Sequence, residues 1–385
     1  MIRALRVLHI ASGDLWAGAE VQAFTLMSNL ASLPETEIAA VLMNDGTLAW
    51  KLRSVGIPTY VLDERTTNSF GIFIRLRRLL RNVDPDVVHT HRHKENILGS
   101  LANRSCRNVP SVRTVHGANE LSRETGMRAV RRRILTGLDQ SCGRALQQRL
   151  IAVTEALGAQ MKEEFTDEKV AVIENGVDFE RVRSEKSVAE YRAREPGATH
   201  IGIAGRLVEV KRVDLFIETA ALVLRESVDR DWRFHIFGDG PERQRLEGLS
   251  KRLQLDDKVV FHGHRQDIVT CVGGLDALVI CSDHEGMPMV SLEAASLAVP
   301  TVAHAVGGLV EVVPEEFLVS RHDARGYKDG ILRALQADGR TIAARRGTET
   351  VIRFSAQRNA ERVRALYEEM LAERSNGATR GKRVD

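Results

Sequence analysis

The chain has few cysteines, no long apolar run and no dominant charge, and each lack excludes something. Its four cysteines, Cys106, Cys142, Cys271 and Cys281, show no metal-binding or redox spacing, so they read as small buried hydrophobes in a reducing compartment. No apolar run reaches spanning length, so no segment is expected to cross a membrane. The first ten residues lack a long apolar core and a small-residue cleavage site, and they read as a strand rather than a signal peptide. Neither charge sign dominates: 55 Lys and Arg against 52 Asp and Glu leave +3. That balance is too small to argue for nucleic acid. The carboxylates are too scattered in sequence to argue for a metal cluster, so no metal is expected. With 43% hydrophobic and 28% charged residues over 385 positions, the composition fits a soluble cytoplasmic protein of two domains.

What the chain does have is alternation. Apolar, strand-like runs recur at 5–11, 37–43, 58–62, 86–90, 111–115, 150–153 and 170–173, with helix-like stretches between most of them. This predicts a parallel sheet covered on both faces. Asn175-Gly176-Val177-Asp178 is a turn that closes this first unit, and the charged stretch 179–197 links it to a second of the same kind. There strands are expected at 200–204, 232–237, 259–261, 275–280 and 299–303. The predicted domains are 1–178 and 179–355, with a closing helix near 356–374 and a flexible polar tail at 375–385. In such sheets ligands sit beyond the carboxyl ends of the strands. Residues at those ends therefore matter: Gly18, His89, His91, His116 and Asn175 in the first unit.

The chain is organised around residues 282–294. A buried strand-like run precedes this stretch, and a helix from Val290 to Leu297 follows it. Gly286 and Pro288 mark the turn, and the carboxylates Glu285 and Glu293 bracket it. Such a turn offers backbone N–H groups beside fixed acceptors, which suits a polyhydroxylated anion; an acidic helix start favoured by the macrodipole would look the same locally. The loop from Ser12 to Glu20 brings glycines between a strand and a helix, but not at dinucleotide spacing, so a nicotinamide cofactor is not indicated.

His89 and His91 raise the question of a metal. Alternating strand positions face opposite ways, and no carboxylates cluster nearby in sequence, so structural or hydrogen-bonding histidines are expected. His116, before a glycine at a strand end, is the better candidate for touching a substrate. The first half is also locally basic. Arg75, Arg77, Arg78 and Arg81 decorate one helix; Arg123, Arg128, Arg131, Arg132, Arg133, Arg144 and Arg149 fall in and around the next long one. Met127, Val130, Ile134, Leu135 and Leu138 interleave with that second set. A basic amphipathic helix suits an anionic membrane surface or a phosphorylated acceptor, and a solvated face is the alternative.

Taken in order, Gly18-Ala19-Glu20, His116-Gly117, Asn175-Gly176-Val177-Asp178, Gly205-Arg206 with Lys211, Gly238-Asp239-Gly240-Pro241, Glu285 with Glu293, and Gly307-Gly308 resemble the retaining glycosyltransferases of family four. The set covers nearly the whole chain. The resemblance implies an α/β protein of the GT-B fold, with two Rossmann-like parallel-sheet domains facing across a cleft and the last helix crossing back to the first. It implies a nucleoside-diphosphate sugar as donor, no cofactor, and a glycan, lipid-linked or small-molecule acceptor. It also implies site roles. His116 and Glu285 are the catalytic candidates. Glu293 binds the donor ribose, and Glu285 with the backbone of Gly286, Met287 and Val290 holds sugar hydroxyls. Gly18 approaches the diphosphate, and the loop of His264 lines the nucleobase. Read from their own chemistry, Arg206 after a strand and Lys211 near a helix start suit neutralising the diphosphate without a metal ion. One departure is the segment 314–319, short and without the glycine common there. Two rivals remain: a sugar-nucleotide epimerase or hydrolase of the same fold, and a sugar-nucleotide-binding protein without turnover. The expected location is the cytoplasm, with peripheral attachment to the inner face of an anionic membrane and no nucleic-acid partner.

Overall fold

The structure is a computed structural model. It describes residues 3–13, 16, 18–116, 127–184 and 189–381, without the side chains of 127–132 and 377–381. Two compact units emerge. The first takes the described residues up to 176 together with those from 356 onward; the second takes 177–355.

The first unit carries a seven-stranded sheet in the order β3-β2-β1-β4-β5-β6-β7. Its strands are β1 (Leu5–Ala11), β2 (Thr36–Leu42), β3 (Thr59–Val61), β4 (Val87–Thr90), β5 (Ser111–Val115), β6 (Arg149–Ala152) and β7 (Val170–Val172). The second carries six, β10-β9-β8-β11-β12-β13. These are β8 (Thr199–Ala204), β9 (Trp232–Phe237), β10 (Val259–Gly263), β11 (Ala277–Ile280), β12 (Thr301–His304) and β13 (Leu318–Val319). Every pairing is parallel. Near-continuous burial along β1, β4, β8 and β11 is what a sheet covered on both faces requires. The helices supply one apolar stripe each: in Val213–Glu226 the buried residues Val213, Phe216, Ile217, Ala220 and Val223 recur three and four apart.

In both sheets the strand order reverses at one place, between β1 and β4 and between β8 and β11. Loops leaving the two strands at such a switch point diverge to opposite faces and open a crevice. That topology selects the loops after β1 and β4 in one unit, and after β8 and β11 in the other.

Among the described residues the chain leaves the first unit at 176 and returns to it at 356; within the second unit the two ends meet, the Val177 N–H donating to the Phe354 carbonyl at 2.9 Å. The closing helix Ala356–Gly381 then packs on the first unit, burying Ala360, Val363, Tyr367 and Met370 in its core. Helix continues through 375–381, where a flexible tail was expected; the Ser375 hydroxyl donates back to Leu371 O at 3.0 Å, and 382–385 lie outside the described residues. A second difference lies at 314–319. Pro314 caps a single turn, Glu315–Phe317, that drives Phe317 fully into the core, and the chain then adds the edge strand β13.

Candidate functional site

In the second unit three loops meet at the carboxyl edge of the sheet, and backbone contacts lock them together. The Asp283 N–H donates to Val210 O at 2.9 Å, joining the loop after β11 to the one after β8. The Gly308 N–H donates to Gly286 O at 2.7 Å, joining it to the loop after β12. Gly307 explains why glycine stands there: its φ is +53°, and a Cβ would lie 1.9 Å from the Glu285 carbonyl. Gly238, at φ +142°, likewise leaves no room, with Gly205 O 1.8 Å from where its Cβ would be.

The locked loops bring Glu285 and Lys211 into direct contact. Lys211 Nζ donates to both carboxylate oxygens of Glu285, at 2.7 and 2.9 Å. The Ser282 hydroxyl donates to Glu285 Oε1 at 2.6 Å. The Glu285 side chain is only 8% exposed and that of Lys211 25%, so the pair is well shielded from water. A carboxylate held from two sides cannot swing, and it presents a fixed charge at the loop where hydroxyl groups would bind. The sequence assigned these two residues to different parts of a donor; the fold makes them partners.

Behind the pair lies a second ring of support. Asp283 receives Arg212 Nη1 at 3.4 Å and faces His322 Nε2 at 3.0 Å. His304 stacks on His322 with ring centroids 4.0 Å apart, and its Nδ1 lies 3.4 Å from the Ser282 carbonyl. Burial, then the neighbouring His322, lowers the His304 pKa. Ser282, Arg212, His304 and His322 were not singled out in the sequence. Their signal was present for Ser282 alone, three residues before Glu285.

The remaining candidates of this unit are placed as follows. Glu293 is buried in the second turn of the helix Met289–Ser296. That helix starts one residue earlier than predicted, with Pro288 as its cap. Met287 is buried; Gly286 and Val290 are half-buried. Arg206 is exposed two residues after the end of β8, and His264 is exposed directly after β10.

In the first unit Gly18 opens the helix Gly18–Ala31, with open space where its Cβ would be. Glu20 of the same motif is buried and pairs with Arg92 at 2.5 Å, tying the start of this helix to the loop after β4. His116 follows β5 directly. Its Nε2 lies 3.3 Å from His91 Nδ1, and His91 Nε2 lies 3.0 Å from His9 Nδ1. His89 and His91 do not face opposite ways. Two residues apart, they share a face and stack at 4.5 Å.

His9, His89 and His91 each bring a nitrogen within 4.8 Å of the others, a grouping the sequence did not reveal because His9 sits on β1. Both His89 nitrogens are already engaged, with the Tyr367 hydroxyl at 2.5 Å and Thr114 Oγ1 at 2.7 Å. The arrangement is therefore a hydrogen-bonded one, anchored to the closing helix. Burial is the main cause holding all four rings neutral: the pKa of His91 falls to about 4, and those of His9, His89 and His116 lie well below the ordinary value.

The basic surface is only partly as read. Arg75, Arg78 and Arg81 are exposed, whereas Arg77 is half-buried and reaches Ser105 O. Arg149 is not a surface cation: it is mostly buried and pairs with Glu369 at 3.0 Å and with Glu373 on the closing helix. Ile134, Leu135 and Leu138 are exposed, beside Arg133. Arg123 and the side chains of Met127, Arg128, Val130, Arg131 and Arg132 lie outside the described residues.

Comparison with known proteins agrees with this geometry. Residues 16–181 match the family model described as Glycosyltransferase Family 4, and residues 198–337 match that of Glycosyl transferases group 1. A UDP-Gal:alpha-D-GlcNAc-diphosphoundecaprenol alpha-1,3-galactosyltransferase of Escherichia coli is 24% identical over 95% of this chain and 97% of its own. A D-inositol 3-phosphate glycosyltransferase of Saccharomonospora viridis is 29% identical over 74% of this chain and 70% of its own. Among solved structures, Anabaena HepE in complex with UDP-glucose superposes with a TM-score of 0.81 at 19% identity, covering 95% of this chain and all of that one. The two parallel sheets thus have the GT-B fold, and the chain belongs to the family-four glycosyltransferases.

Proposed function

We propose that this glycosyltransferase moves a sugar from a nucleoside-diphosphate donor to a glycan or lipid-linked acceptor with retention of anomeric configuration, and needs no metal ion. The observation that carries the reading is the Lys211–Glu285 pair, braced by Ser282 at the carboxyl edge of the second sheet. The relatives supply the donor class: one is named for UDP-galactose, and another was solved with UDP-glucose.

Breaking a sugar–phosphate bond leaves negative charge on the departing diphosphate. Divalent cations often neutralise it. Here Lys211, and Arg206 at the exposed start of the same loop, offer fixed positive charge instead. Glu285 holds hydroxyls of the transferred sugar and keeps Lys211 oriented; Glu293 holds the ribose, by resemblance to the family. Gly18 and His116, by resemblance to the family, are further candidates for touching the donor. Interactions that strengthen as charge develops accelerate the reaction.

The test begins with melting temperatures against UDP-glucose, UDP-galactose, GDP-mannose and ADP-glucose, since a ligand bound only by the native state raises its melting point. Turnover of the stabilising donor is then followed by NMR at the anomeric carbon, with and without chelator. Retention with full activity in chelator is expected. An inverted product overturns the retaining assignment. Activity lost in chelator and restored by magnesium overturns the metal-free one, and rapid donor hydrolysis without any acceptor favours a hydrolase.

A further inference from the structure

Each unit holds a column of three imidazoles spanning neighbouring strands, and counting protons separates the two. In the second unit His200 Nδ1 meets His235 Nε2 at 2.9 Å, and His235 Nδ1 meets His262 Nε2 at 2.9 Å. His200 Nε2 lies 2.9 Å from the Glu195 carbonyl. A carbonyl only accepts, so His200 must carry its proton on Nε2. His235 must then donate from Nε2, and so must His262. One backbone oxygen dictates all three tautomers.

In the first unit the column His9–His91–His116 has no such cap. Three neutral imidazoles carry three N–H groups and three lone pairs, and the two hydrogen bonds use two of each. One N–H and one lone pair are left over, at opposite ends. The ends are His9 Nε2 and His116 Nδ1, and both are buried with no protein partner among the described residues. His91 has one proton to give, so it must donate to one neighbour and accept from the other. Two patterns are allowed: all three rings protonated on Nδ1, with an N–H left over at His116, or all three on Nε2, with it left over at His9. A buried N–H without an acceptor is costly. Nothing in the column itself prefers either end. His116, however, lies at the carboxyl edge of the sheet, where a ligand can supply the acceptor.

We infer that His91, backed by His9, is a positioning residue for His116: the three rings share one proton pattern, and an oxygen of the sugar nucleotide that accepts from His116 Nδ1–H selects the pattern protonated on Nδ1 throughout. Burial, with Arg92 and Arg113 nearby, keeps His116 neutral, so it acts as a hydrogen-bond donor rather than a cation. The inference rests on the donor-binding reading given above, and its test separates the two.

The full-length protein, with 15N-labelled histidine, is examined by NMR correlations that distinguish Nδ1–H from Nε2–H. The probes are UDP and whichever of UDP-glucose, UDP-galactose, GDP-mannose and ADP-glucose raises the melting temperature most. His9, His91 and His116 are expected to become Nδ1–H together in the bound state. His200, His235 and His262 stay Nε2–H throughout and serve as an internal control. A change with UDP alone assigns the accepting oxygen to the diphosphate; a change that needs the sugar assigns it to the sugar.

His116 remaining Nε2–H with nucleotide bound overturns the inference, as does His91 failing to follow it. Kinetics give a second arm. His91→Leu should lower kcat about tenfold, the effect of one hydrogen bond, with donor KM little changed. His91→Gln, whose amide can accept from one neighbour and donate to the other, should recover most of that. Folded Leu and Gln variants of equal kcat also overturn it. If no sugar nucleotide shifts the melting temperature, the donor-binding reading itself fails. If one does, and only the tautomer test fails, the column alone is refuted.

Discussion

The two histidine columns are built alike and differ at one end. His200 ends on a backbone carbonyl, whereas His9 Nε2 has no partner among the described residues. A capped column has a single proton pattern and can only hold strands together. An uncapped one has two patterns of similar cost, and a ligand at its far end can choose between them. The same contrast runs through the units as a whole. In the second, Lys211, Glu285 and Ser282 form a satisfied cluster before any ligand arrives. In the first, His116 still has a bond to make.

The largest effect should come from breaking the satisfied cluster. Glu285→Gln removes the charge that orients Lys211 while keeping the shape of the loop. Losing a fixed charged contact used in the transition state costs roughly 3 kcal/mol, a hundredfold or more in kcat. Lys211→Ala should do at least as much, because it leaves Glu285 shielded and without its cation. Melting temperatures should fall far less than activity. Near-native turnover in purified Glu285→Gln would remove this residue from the site.

The next prediction turns to the capped column. His235→Leu takes out its middle ring, leaving a lone pair on His200 and an N–H on His262 unpaired, at about 1–3 kcal/mol each where no water replaces them. Stability should drop while kcat and donor KM of the surviving folded enzyme stay near native. His91→Leu should show the reverse balance, with the larger change in kcat. A His235→Leu enzyme that is stable but slow would erase the distinction between the columns.

Acid should act on both columns through stability. A histidine in the unfolded chain titrates near 6.5, while burial holds His91 to about 4 and His235 to about 3. As pH falls below 6.5 the unfolded state takes up protons that the folded state refuses, so stability declines across that window and is fully retained only above it. His9, His89 and His116 shift the same way and add to the slope. The urea midpoint should therefore fall from about pH 7 to about pH 5, before most carboxylates titrate. Replacing His91 with Gln should flatten the curve. A midpoint unchanged over that range would mean that the rings protonate in place.

Much of this was visible in the chain before folding. The strand positions were legible because parallel strands buried on both faces leave short, nearly unbroken apolar runs, and all but β13 stood out. Two residues long and at the sheet edge, β13 has no room for a pattern. Gly307 was recognisable as part of a motif, but its reason, a carbonyl 1.9 Å from where a Cβ would sit, is a property of packed loops. The Lys211–Glu285 pair spans 74 positions and depends on which strands flank the switch point. The first column was hidden for the same cause: His9, His91 and His116 come from three segments, and sequence showed only the close pair His89 and His91.

The smallest predicted effect concerns the surface of the first unit. On the helix Ser69–Val83, Ile72, Leu76 and Leu80 are fully buried on one side. On the other, Phe70 is 72% and Ile74 39% exposed, with Arg78 and Arg81 following along the same face. An exposed aromatic and an exposed aliphatic beside arginines suit a helix lying on an anionic bilayer, where apolar groups enter the headgroup boundary and cations meet phosphates. A lipid-linked acceptor would then be delivered at that surface. Each basic side chain near such a surface contributes about 1 kcal/mol, and exposed charges are screened over about 10 Å at 0.1 M salt. Co-sedimentation with phosphatidylglycerol vesicles should therefore be detectable at low salt and weaken as salt rises. Phe70→Ser with Ile74→Ser should weaken it by a few-fold while leaving turnover of a water-soluble acceptor unchanged, because neither side chain supports the core. The second unit alone should not sediment if it folds when expressed as 177–355. Equal sedimentation of the double variant would move the contact elsewhere, and none at low salt would remove the membrane from this reading.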